Sequence, residues 1–158
     1  MKINHTIFNL NYYQLLIKNI FLLIVFVPSI TFASDNKIAS IIEILGDVIA
    51  LNEEGDEREL EIFDNIFLGD EVFIGDSSSA TIQFNDNTTI ILKELTSLNV
   101  KEFEDSEAAK IFKMKLGKGE IIIESGSIAK NKNGEMLVDL SNMSLGVRGT
   151  RFNVGIGN

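Results

Sequence analysis

The chain has 158 residues, room for one domain, and its 45% hydrophobic and 23% charged residues exclude a largely disordered polymer. The formal net charge is −9 and is unevenly spread: residues 1–33 hold Lys2 and Lys18 and no acid, leaving 12 basic against 23 acidic residues beyond Ala33. Such a surface repels phosphate backbones and anionic membrane surfaces, so nucleic acid is excluded as a partner class.

The first 33 residues read as an address. Lys2 and Lys18 form a positive region, Ile20–Val27 an apolar core, and Thr31-Phe32-Ala33 a small-residue cleavage site. This is the pattern of a secretory signal peptide. An uncleaved anchor is the alternative, but Lys18 and Asn19 interrupt the longer apolar run that a spanning helix of roughly 20 residues needs. Cleavage would leave no membrane insertion and a periplasmic or secreted chain. It would also remove His5, Pro28, Tyr12 and Tyr13, and the chain has no Cys or Trp. An exported domain without disulfides depends on its apolar core.

Residues 34–40 form a short polar leader, and residues 41–158 read as a β domain. Ala39–Ile44 is a first strand, Gly46-Asp47 a turn, and Val48–Leu51 a second strand. The acidic stretch Asn52–Glu57 makes a hairpin tip around Gly55, from which Arg58–Ile62 returns before a polar break at Asp64-Asn65. Three strands follow, Glu71–Ile74, Ala80–Phe84 and Thr88–Leu92. In the second, Ala80, Ile82 and Phe84 alternate with Thr81 and Gln83, the period of a strand with one face in a core. Thr96, Leu98 and Val100 alternate again. Phe103–Lys110 suits either a helical turn or a loop, and Phe112, Met114 and Leu116 mark another strand. Gly117-Lys118-Gly119 reads as a turn into Glu120–Glu124, whose Ile121-Ile122-Ile123 run suits burial on both faces. Ser125–Gly134 reads as a mobile loop, and Met136–Leu140 and Val147–Val154 close the domain. The seven Phe beyond residue 33 read as core positions.

No long helical period occurs after residue 33, and all 12 Gly punctuate short runs there, so the fold is expected to be all-β. Strand starts after Gly46, Gly69, Gly119 and Gly146 are compatible with a repeat of about 25 residues. A roll or short solenoid of antiparallel, meandering strands fits, and a β-sandwich explains the same turns.

Three fragments together resemble the FecR domain family. They are Leu68-Gly69-Asp70-Glu71-Val72-Phe73-Ile74-Gly75, Ser79-Ala80-Thr81-Ile82-Gln83-Phe84 with Asp86, and Gly146-Val147-Arg148-Gly149-Thr150-Arg151-Phe152-Asn153-Val154. Leu116-x-x-Gly119 stands where the family has an L-x-x-G turn. The motif positions carried over are Gly69, Asp70, Val72, Gly75, Ala80, Phe84, Asp86, Gly119, Arg148, Gly149, Thr150, Phe152 and Val154, as structural or partner-binding residues. The family's transmembrane regulators place a cytoplasmic sigma-factor-binding domain before their membrane helix, and residues 1–19 are too short for one. The resemblance therefore implies a lone exported FecR-like domain.

Catalytic chemistry finds little support. Gly69-Asp70 and Gly75-Asp76, with Ser77 and Asn85, offer oxygens of the kind calcium takes, yet Asp after Gly is ordinary turn chemistry. Asp70, Asp76, Asp86 and Glu124 supply carboxylates for glycoside hydrolysis, but no Trp or Tyr beyond residue 33 is there to stack a sugar. Beyond residue 33 there is no His or Cys for a triad or a zinc site. Gly146-Val147-Arg148-Gly149-Thr150 has the make-up of an anion cradle, an Arg between glycines, but the planar fork of Arg148 better suits an internal clamp on a carboxylate or on strand-end carbonyls. The expectation is a non-enzymatic module without a cofactor. It would bind another envelope protein through an exposed strand edge in signalling or assembly. The alternative is a glycan or cell-wall polymer.

Overall fold

A computed structural model describes residues 36–149 and 151–156, and the expected signal peptide lies outside the described residues. Twelve strands form: β1 (Lys37–Leu45), β2 (Val48–Leu51), β3 (Glu57–Glu59), β4 (Asn65–Phe67), β5 (Glu71–Ile74), β6 (Ser79–Phe84), β7 (Thr89–Leu92), β8 (Ser97–Asp105), β9 (Lys110–Glu124), β10 (Glu135–Asp139), β11 (Ser144–Gly146) and β12 (Arg151–Ile156). One helical turn, α1 (Ser127–Lys130), lies between β9 and β10.

The strands make one curled sheet with two wings. Its path runs β3-β2-β5-β8-β9-β7-β6-β1-β4. β9 belongs to both wings: its first half pairs with β8 and β10, its second half with β7 and β12. Every ladder is antiparallel except β9–β10. The Gly-led strand starts therefore do not stack as parallel coils, and of the expected forms the curled antiparallel roll is the one observed. Alternation along each strand sends one face inward, and those faces form a single core. Phe84 from one wing meets Phe112 from the other at 4.6 Å between ring centroids, and Phe103 stands edge-on to Phe112 at 5.0 Å.

Several local expectations change. Phe103–Lys110 is neither a helix nor a long loop: β8 continues to Asp105, and Ser106–Ala109 turns directly into β9. Gly117-Lys118-Gly119 is not a reversal, because β9 runs through it as it passes from one wing to the other. Gly119 has φ +84°, and a Cβ there would lie 2.6 Å from the Thr96 Cα, so glycine is required at this crossing. The Thr96 hydroxyl accepts from the Glu120 N–H at 3.1 Å and donates to the Glu120 carbonyl at 3.1 Å. Ile121 and Ile123 are fully buried while Ile122 is only half-buried, so this run alternates after all. Thr81 is buried, with its hydroxyl donating to Glu43 Oε2 at 3.0 Å. The expected loop at Ser125–Gly134 holds α1, with Ile128 and Ala129 in the core. The polar break at Asp64-Asn65 leads straight into β4. The Phe63 ring, expected in the core, is 80% exposed.

Candidate functional site

The motif residues divide into those that hold the fold and those that face solvent. Val72, Ala80, Phe84 and Val154 are buried in the core, with half-buried Phe152 packed against it. Asp70, 3% exposed, accepts the Phe67 N–H at 2.9 Å and the Arg58 guanidinium. Arg58 also donates to the Asn65 carbonyl at 3.1 Å and lies 5.4 Å from the centre of the Phe67 ring. This is the internal clamp. Gly69 precedes it, its carbonyl accepting from the Asn99 amide at 2.8 Å.

Asp86 is 1% exposed and organises the end of β9. Its carboxylate accepts the Thr88 N–H at 2.9 Å, the Thr88 hydroxyl at 2.8 Å and the Ile128 N–H at 3.2 Å. The Thr88 hydroxyl in turn accepts the Gly126 N–H at 2.9 Å, and the Asp86 carbonyl accepts the Ser127 N–H at 2.8 Å. A Cβ on Gly126 would fall 2.2 Å from that carbonyl. Gly75 closes a third turn by donating to the Asp47 carbonyl at 2.9 Å, beside the Ser78 hydroxyl, which accepts the Asp47 N–H at 2.9 Å. Asp76 is exposed, as is Glu124. The carboxylates of Asp70 and Asp86 thus serve internal donors, in separate turns.

Arg148 departs from the expected clamp. It is exposed and donates to the Lys132 carbonyl at 3.3 Å, with no carboxylate partner among the described residues. The segment from Gly146 leads past Gly149 into β12 rather than forming one continuous strand from Val147, and Thr150 lies outside the described residues. Arg58 fills the role foreseen for Arg148. One signal pointed to it: Arg58 is the only Lys or Arg between Lys37 and Lys93, in a run of acids.

Among the described residues four strands end the wings: β3, β4, β11 and β12. β3, β4 and β11 have three residues each. β3 carries the exposed charges Glu57 and Glu59, and the Arg58 guanidinium occupies the Asn65 carbonyl of β4, two devices that discourage pairing with another strand. β12 is different. It has six residues, pairs with β9 from Arg151↔Glu124 to Ile156↔Gly119, and has no second neighbour among the described residues. In an antiparallel ladder half of such a strand's N–H and C=O groups point away from its partner. The strand is held rigidly: Val154 is buried, and the Asn153 amide donates to Glu120 Oε1 at 2.8 Å. Lys93 Nζ lies 2.7 Å from the same oxygen. Hydrogen bonds from Lys93 and then Asn153 hold the Glu120 carboxyl below its ordinary pKa of 4.5. Among the described residues β12 is thus fixed along one side and unpaired along the other.

A search of curated proteins returns no match. A solved structure described as a "Cell surface anchoring domain" is similar, with 35% identity over 39% of this chain and 82% of that chain, at a TM-score of 0.38. The family model described as "FecR protein" matches residues 70–158. That span begins at the Asp70 clamp, takes in the Asp86 turn and β12, and exceeds half of the sequence; the chain belongs to the FecR family.

Proposed function

We propose that this chain is an exported, non-enzymatic interaction module of the envelope, which docks another envelope protein by adding a strand to the outer edge of β12. Membership of the FecR family fits an envelope-associated role. The observation that carries the reading is the contrast among edges: β12 is twice as long as the others, its one charged residue is Arg151 at its start, and among the described residues no guanidinium covers its carbonyls as Arg58 covers that of Asn65 on β4. Backbone pairing would supply affinity, and the side chains of Arg151 and Asn153, with the bare backbone at Gly155, would set which strands are accepted.

The test is in-cell crosslinking of the tagged full-length protein, with mass spectrometry of what it captures, for the natural sequence and for Gly155→Lys. A Cβ at Gly155 meets the Glu120 side chain at 3.4 Å and the Gly119 carbonyl at 3.6 Å, both ordinary contacts, so the substitution is tolerated, while an edge lysine opposes strand addition. The expected result is one dominant envelope protein, lost in the variant at unchanged melting temperature. Diffuse capture, with the protein pelleting with wall material, replaces this reading by polymer binding.

A further inference from the structure

The turn between β3 and β4 holds a feature that neither the core nor the β12 edge uses. Glu61, Ile62, Phe63 and Asp64 form a tight turn, with the Asp64 N–H donating to the Glu61 carbonyl at 3.1 Å. Phe63 sits at its third position with φ +76°, where glycine or asparagine is the ordinary occupant. A bulky side chain there raises the backbone energy. Its ring gains nothing inside the protein in return, being 80% exposed, and neighbouring Ile62 is 49% exposed. Two unfavourable choices thus coincide at one residue.

The turn is also firmly held. The Phe63 N–H donates to the Ile41 carbonyl at 2.9 Å, the Ile41 N–H to the Asp64 carbonyl at 3.0 Å, and the Glu61 N–H to Asp64 Oδ2 at 2.8 Å. The ring is therefore presented on a braced tip, which lowers the ordering cost of an encounter. Exposed Glu57, Glu59 and Glu61 precede it, and Arg58, the one Lys or Arg in the sequence between Lys37 and Lys93, is held by Asp70.

We infer that the Ile62–Phe63 tip is a docking knob that enters an apolar socket framed by Lys or Arg on a protein partner. Charge selects that occupant. A second copy meeting tip to tip would bring the same glutamates together, and an anionic lipid surface would be repelled by them. The surface is separate from the β12 edge, so each stands or falls on its own variant.

The experiment places the photoreactive p-benzoyl-phenylalanine at Phe63, or at exposed Glu54 as control, in the tagged full-length protein in its native cells. The expected result is one discrete protein captured from position 63 and not from position 54, with the link mapped to an apolar segment flanked by Lys or Arg. Chemical-crosslink capture of that protein should fall at least about tenfold in Phe63→Gly, as for a central aromatic anchor, and also in Glu59→Lys/Glu61→Lys. The melting temperature of Phe63→Gly should hold or rise by about 2–4 °C as the left-handed strain is relieved. Equal capture from both positions, a link to a second copy or to lipid, or a lower melting temperature for Phe63→Gly would overturn the proposal.

Discussion

Asp86 and Arg148 stand in the same family signature, yet the body of the sheet and its C-terminal arm use such residues in opposite ways. Asp86 is buried among three donors to its carboxylate and ties together segments some forty residues apart. Arg148 lies in water with one bond to a loop carbonyl. The difference teaches that membership of a signature does not assign a role. The number of internal donors and acceptors a residue satisfies does, because a buried unpaired polar group is costly and an exposed one is not.

The comparison breaks most easily at Asp86. Asp86→Ala strands the Thr88 and Ile128 N–H groups at a buried turn and should cost about 3 kcal/mol, measured by denaturant unfolding. Tolerance of that change would show that the turn does not depend on its carboxylate. The two arginines sharpen the contrast at smaller scale. Arg58→Ala leaves buried Asp70 without its cation and should cost about 1–2 kcal/mol, given that Arg58 itself is about a third exposed. Arg148→Ala should stay within about 0.5 kcal/mol in the same assay. Equal losses would erase the distinction between body and arm.

The smallest effect is confined to the arm. The Glu120 carboxyl is held below its ordinary pKa, so the stabilisation is fully present above 4.5 and is lost as pH falls through the lower folded value. Acidification below about pH 4.5 should therefore loosen β12 first, seen as faster amide exchange there than in β6. Glu120→Gln should flatten that pH dependence.

The strands were legible wherever apolar residues alternate, as in Val48–Leu51 and Glu71–Ile74, which form over the expected residues. Local reading failed where the deciding contact is remote in sequence. Gly117-Lys118-Gly119 has the composition of a reversal, but Thr96 of the preceding turn stitches the backbone straight through. Ser127–Lys130 is too short to signal a helix, and its first turn is capped by the Asp86 carboxylate and carbonyl. Of the candidate site, the Arg-Gly-Thr ending was visible as a signature, but the exposure of Arg148 was not. Phe63 was hidden for another reason: an aromatic residue beside a strand reads as core, and no composition rule expects it at a positive φ.

Because β9 takes partners in both wings, neither wing can be completed without it. Its partners come from before it, β7 and β8, and from after it, β10 and β12. A chain emerging N-terminus first must therefore hold β7 and β8 open at their inner edges until Glu124 has appeared. The apolar faces of both wings then close on the same strand in one step. Melting should run the same course in reverse: loss of β9 removes a shared neighbour from both halves, so once β9 is lost the two wings are expected to melt together rather than as two sheets in contact.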